Sequence, residues 1–237
     1  MSEPCLLYSR EVPITDKIHI MLPEVGDVLD NEEDYYVCVS LLTGMPIDFM
    51  VQLDDIGVDF SEINDYDLFL ILFHTIQSMD TSLLFGNLDL KKFEYGKNTD
   101  TGMSVVYDEE DDIVIDRVVQ TKIANTLRKI HHLEKDNRKP GNKEAKEYLL
   151  ERARKKQKRH KRNKDSQLSQ LIIAMVNTEQ FKYNFETVRN LTIYQFNESV
   201  RQVQHKVDYD NRMHGIYAGT IDPKSISQDD LNWLIHK

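Results

Sequence analysis

Asn64-Asp65-Tyr66-Asp67-Leu68-Phe69-Leu70-Ile71-Leu72-Phe73 is the stretch on which the fold turns. Asn64 or Asp65 can accept the free N–H groups of a first helical turn, and Asp67 adds negative charge where the helix dipole favours it. The residues from Leu68 to Phe73 are apolar on every side, so the predicted helix is one that its neighbours bury. It is expected to form the core of the N-terminal half.

Working outward, residues 17–22 (KIHIML) alternate and carry β-branched side chains, which predicts a short strand stopped by Pro23. Residues 34–42 supply aromatic and apolar side chains at helical spacing, with Gly44 placed to end that helix. Pro46 stands where a first helical residue would be, and Ile47, Met50, Val51 and Ile56 recur on one face until Gly57. Downstream, residues 88–115 change to short alternating runs separated by residues 96–102 and 108–112, the pattern of a small β-hairpin or meander. Asp116 can cap a helix that sets Val119, Ile123, Leu127 and Ile130 on one face and ends before Pro140-Gly141. After Asp165, a further capping candidate, Leu168, Leu171, Ile172, Met175 and Val176 describe an amphipathic helix. Ile193, Phe196, Val200, Val203 and Val207 describe a long last helix that runs to Tyr217 ahead of Gly219, and Trp233, the single tryptophan, marks a docked tail. The expected fold is α+β and predominantly α-helical, with helical bundle-like parts and a small β-hairpin or meander. Three parts follow: an acidic α+β part at 1–116, a helix and basic helical spacer at 117–164, and a C-terminal helical part at 165–237.

The net charge of −10 conceals a division. Residues 1–116 hold 26 acids and 5 Lys/Arg, whereas residues 117–237 hold 14 acids and 25 Lys/Arg. Such halves either attract one another or meet differently charged partners. The positive charge is densest in residues 152–164, with 9 Lys/Arg among 13 residues. Apolar residues stop after Ala153, so this helix is expected to fray or project. Its cations serve either as a solvated or acid-docking face or, alternatively, as a nucleic-acid contact that releases counterions. Missing aromatic interleaving and the acidic total weigh against nucleic acid. The partner-binding candidates are Arg152, Arg154, Lys155, Lys156, Lys158, Arg159, Lys161, Arg162 and Trp233.

No residue pattern points to catalysis, and neither a cofactor nor a metal is expected. The chain has no P-loop, no G-x-G-x-x-G and no H-E-x-x-H, and its nine glycines leave little for phosphate-cradling loops. His131 and His132 are adjacent, about 100° apart on a helix, and cannot share a metal as an i, i+4 pair does. His205 and His214 have no nucleophile context. Residues 108–112 (DEEDD) lack the glycine and alternate ligands of a calcium loop and read as a charged hairpin tip, and Asp54, Asp55 and Asp59 read as helix-end and loop acids. The aromatics Phe181, Tyr183, Phe185, Tyr194, Phe196, Tyr209, Tyr217 and Trp233 form either core or a partner groove, the exposed ones being the binding candidates. Cys5 and Cys38 fit no disulfide framework, which points to a reducing compartment. Residues 1–11 carry no signal-peptide pattern, and the apolar run 68–73 falls far short of the about 20 residues that span a bilayer, so a soluble chain is expected.

The blocks MVQLDDIGVDF (50–60), NDYDLFLILF (64–73), TSLLFGNL (81–88), IANTLRKIHHL (123–133), NRMHGIYAGTID (211–222) and DLNWLIHK (230–237) resemble an uncharacterised group of proteins from tailed phages and prophages of Gram-positive bacteria. A looser likeness links the "Asp-Tyr-Asp-Leu-Phe" helix and the β-segment after it to phage tail and baseplate assembly chaperones. The chain lacks the cysteine-bearing segment of some of those proteins. The resemblance carries over no functional residue. It implies a non-enzymatic, chaperone-like protein that binds a tail or baseplate polypeptide such as the tape measure in the host cytoplasm. Alternatives are a nucleic-acid-binding protein using residues 152–164 and a structural component of the virion.

Overall fold

The computed structural model describes residues 5–99, 101–159, 165–227 and 231–234. The fold is α+β and mostly helical, with two small antiparallel sheets. A hairpin of β1 (Glu11–Pro13) and β2 (His19–Met21) leads into α1 (Val25–Asp30), α2 (Glu32–Thr43), α3 (Met50–Asp55), α4 (Asp65–Gln77) and α5 (Ser82–Phe85). The strands β3 (Glu94–Lys97), β4 (Ser104–Asp108) and β5 (Ile113–Ile115) pair in sequence order as a meander. Then come α6 (Arg117–His131), α7 (Lys143–Arg159), α8 (Gln167–Val176) and α9 (Ile193–Tyr217).

The α4 helix begins as its sequence dictates. Asn64 Oδ1 accepts the N–H groups of Tyr66 at 2.8 Å and Asp67 at 3.1 Å, and Asp67 Oδ2 accepts the Asn64 N–H at 3.1 Å. This reciprocal box satisfies donors that have no partner inside the helix. Burial of α4 is two-sided, not complete. Phe69, Phe73 and Ile76 face the main core and Leu68 joins Leu53 and Phe60 in a second cluster, but Ile71 stays 40% exposed. The meander is tied to this helix by polar contacts. The Tyr66 hydroxyl lies 3.0 Å from the carbonyls of both Ser104 and Ile115, and Gln77 Nε2 donates to Leu90 O at 3.0 Å and Phe93 O at 2.7 Å.

The centre of the molecule is α6, which touches α2, α4, α9, β2 and β5. Asp116 Oδ1 caps it by accepting from Val119 N at 2.8 Å, and Ile123, Leu127 and Ile130 are buried. Its Arg128, 7% exposed, donates to the Thr43 carbonyl at the end of α2 and to Asn125 Oδ1 at 3.2 Å. A cation thus meets the negative end of α2. Gly44 does end that helix, but by size and not by a left-handed turn: its backbone is extended, and a Cβ there would lie 2.3 Å from the Phe49 ring.

Two local starts differ from the sequence expectation. Pro46 opens a turn, and α3 begins only at Met50, because the Asp48 carboxylate takes the Met45 N–H at 2.8 Å and holds the turn. The cap of α8 is Ser166, whose Oγ accepts from Ser169 N at 2.8 Å, where Asp165 was the candidate.

The C-terminal third is built into the same core. Leu168, Ile172, Met175, Val188, Ile193 and Phe196 belong to the cluster that contains Ile18, Phe73 and Leu127. A short backbone exchange fixes the junction: Val25 N donates to Leu191 O and Ile193 N to Pro23 O, both at 2.8 Å. Thr192 and Gln195 then form a second capping box at the start of α9. Opposite charges of the two halves also meet, with Lys135 on Asp65 at 2.8 Å and Arg189 on Asp30 at 2.7 Å.

Candidate functional site

Two surfaces deserve consideration as sites, and the basic helix α7 is the first. Asn142 Oδ1 starts it by accepting from Ala145 N at 2.8 Å. Lys146, Leu150 and Arg154 recur every four residues and form the seat. The Lys146 ammonium pairs with Asp59 and stands 5.8 Å from the centre of the Phe60 ring, and Leu150 packs on the cluster of Leu53, Phe60 and Leu68. Arg154 Nη2 lies 2.7 Å from Asp54 and 2.6 Å from Asp55 at the end of α3. The hydrogen bond from Lys146, helped by the hydroxyl and N–H of Ser61, holds the Asp59 carboxyl down to about 2. Hydrogen bonds to Asp54 and Asp55 raise Arg154 above its usual value. The helix therefore docks on acids in the manner the charge division allowed.

The other predicted residues divide by side. Arg152, Lys155, Lys156 and Lys158 are exposed, Lys155 meeting Glu151 one turn back at 2.5 Å. The outer side also carries Tyr148, 63% exposed. Arg159 closes α7, while its side chain, with Lys161 and Arg162, lies outside the described residues.

The second surface is the distal half of α9 with the tail that returns along it. Phe196 is fully buried and Val200 and Val203 are half-buried against the core, but Val207 is 40% and Tyr217 81% exposed. Gly215 lets the chain fold back, since a Cβ there would lie 2.5 Å from Ile221 Cδ1. Gln202 Nε2 donates to Trp233 O at 3.1 Å, His205 Nε2 lies 3.2 Å from Asn232 O, and Lys206 stands 5.8 Å from the centre of the Trp233 ring. Trp233 is thus docked but 39% exposed, and Leu234 beside it is 68% exposed. Among the other aromatics Phe181 is buried, whereas Tyr183 and Phe185 are 41% and 53% exposed.

Several charged groups elsewhere are engaged in structure. At the β4–β5 tip, Lys17 Nζ reaches the carbonyls of Asp111 at 2.8 Å and Asp112 at 2.9 Å, and Lys92 pairs with Glu110 at 3.1 Å. Among the described residues, no three or more His, Cys, Asp or Glu gather as a metal would require. Burial, and then the charge of Asp80, pushes the Cys38 thiol up to about 12, which keeps it protonated. A cleft of about 190 Å³ opens between Ile47, Phe60 and residues 135–140. Its cations are held by neighbours, Lys135 by Asp65 at 2.8 Å, Arg138 by Asp136 at 2.6 Å and Lys139 by Ser61 O at 3.1 Å. No helix among the described residues is long and apolar enough to cross a membrane.

Sequence reasoning found the basic segment and the tail but missed the acids that receive the helix. Asp54, Asp55 and Asp59 lie about a hundred positions from their partners. The opposite charge of the two halves was the one signal for this pairing. Comparison with known proteins adds to the C-terminal third alone. No curated protein and no solved structure matches the chain. Residues 156–236 match the model of a family described as YomV second domain, so the segment that runs from the basic helix to the docked tail is similar to a domain of a Bacillus prophage-type protein.

Proposed function

We propose that this chain acts stoichiometrically in phage assembly, binding a tail or baseplate polypeptide such as the tape measure and shielding it from premature association. The observation that carries this reading is the set of large apolar side chains left exposed along the distal α9 and on the tail beside it, Val207, Tyr217, Trp233 and Leu234, inside the segment similar to a prophage domain. Exposed apolar residues grouped on one structural feature mark interaction surfaces, and aromatic anchors dominate their energetics. A helix with a partly covered apolar stripe suits capture of a second amphipathic helix, the arrangement that long tail polypeptides offer.

The test is purification of the tagged chain from cells induced for the phage. A tail polypeptide should copurify at a fixed ratio, and Val207→Glu with Leu234→Glu should abolish its recovery while leaving the far-ultraviolet circular dichroism unchanged. Recovery of no tail protein would remove the proposal. Mass spectrometry of purified particles then separates a chaperone, absent from them, from a permanent component present at fixed copy number.

A further inference from the structure

We infer that the outer side of α7 binds the phosphodiester backbone of duplex nucleic acid, with Arg152, Lys155, Lys156 and Lys158 as the contacting cations and Arg154 taking no part. The structure sorts the cations in a way that spacing alone did not. Arg154 points to Asp54 and Asp55 and Lys146 to Asp59, so these three acids are neutralised from the inner side of the helix, while on the outer side Lys155 pairs with Glu151 of α7 itself. The outer cations face solvent. Charges beyond about 8 Å are largely screened at physiological salt, so this local face outweighs the net charge of the whole chain for a ligand lying on it.

Charge density favours a phosphate lattice. The four outer cations lie within the seven residues 152–158. At a rise of about 1.5 Å per residue this gives one per about 2.6 Å, against one phosphate per about 1.7 Å of duplex. An acidic polypeptide would gain only exposed, salt-screened ion pairs, whereas each phosphate contact also releases condensed counterions. An anionic membrane requires an insertable apolar stripe, and among the described residues of α7 Tyr148 is the one large apolar side chain that stands exposed. That single ring also speaks for duplex over single strand, where a row of aromatics would stack the bases. The surface is separate from α9, so this activity stands or falls apart from the assembly role.

The experiment is fluorescence anisotropy of a labelled mixed-sequence DNA duplex of about 25 base pairs, titrated with the full chain between about 25 and 200 mM salt. Log affinity should fall linearly with log salt, with a slope of about −3 to −4 for four phosphate contacts. Replacing Arg152, Lys156 and Lys158 by Ala should flatten that slope by about 3 and weaken low-salt binding at least tenfold. Arg154→Ala should leave the slope unchanged. Asp54→Asn with Asp55→Asn, which releases Arg154, should steepen it by up to about 1. Undetectable binding at the lowest salt, or a slope indifferent to the triple replacement, overturns the inference. So does tighter binding, through the same cations, of a polyglutamate of matched charge or of anionic vesicles.

Discussion

At His131 the fold removes a charge that water would otherwise stabilise. Its Nε2 lies 3.0 Å from the Tyr35 hydroxyl, and the rings of Tyr35 and Tyr36 stand against it at 5.6 and 5.9 Å. Burial, and then the neighbouring His132, lowers the imidazole from 6.5 to about 4. Because the folded value lies below the unfolded one, protonation favours the unfolded chain. The contribution of this residue is complete above about pH 6.5, declines as the pH falls toward 4, and is lost below that, a change of roughly 3 kcal/mol. Urea unfolding followed from pH 7.5 down to about 4 should show this decline, and His131→Phe should be flatter across the same window although less stable overall, since Tyr35 loses its partner. An equal decline in the variant would assign the pH dependence elsewhere. The sequence excludes a metal shared by His131 and His132 through their adjacency, but the neutral state of His131 depends on its burial, to which Tyr35, 96 positions away, contributes its ring and hydroxyl.

For single elements, legibility follows from how local the controlling interaction is. The α4 cap, the α6 cap and the meander were all readable, because a cap spans three residues and strand alternation spans five. The α7 helix was expected to fray or project for want of apolar residues after Ala153, and up to Arg154 the structure seats it through Leu150 and two cations on the end of α3 and the loop that follows it. Those pairs are exposed and screened by solvent, so they hold the helix locally and add little to global stability. Asp54→Asn with Asp55→Asn should therefore raise amide exchange within α7 by roughly fivefold, with the global unfolding midpoint unchanged. Hydrogen exchange by mass spectrometry reads both. Unchanged exchange would show that Leu150 and Lys146 hold the helix without Arg154.

Across the whole molecule, one apolar cluster runs from Leu6 to Phe196 and joins the acidic and the basic half of the chain. Phe73, packed at 5.3 Å on Phe69 and 6.4 Å on Phe93, and Phe196, packed at 6.2 Å on Phe181, are both fully buried. Phe73→Ala and Phe196→Ala should each cost about 3 to 5 kcal/mol and leave a single unfolding transition, although the second lies in the segment similar to a prophage domain. Two separated transitions for Phe196→Ala, seen by circular dichroism in urea, would show that the C-terminal third unfolds on its own.

What the sequence by itself determined is local: the helix periods, a cap at Asn64 or Asp65 and another at Asp116, a small β-hairpin or meander over residues 88–115, and the concentration of positive charge. Each is specified by residues within a turn or two of one another, where backbone geometry leaves few alternatives. Tertiary structure decided which sides of those elements are covered. It placed Asp54 and Asp55 under Arg154, set Tyr35 against His131, and left Val207 and the outer cations of α7 open. Burial and Coulomb energy depend on which groups meet in space, and chain order does not encode that neighbourhood in any short pattern.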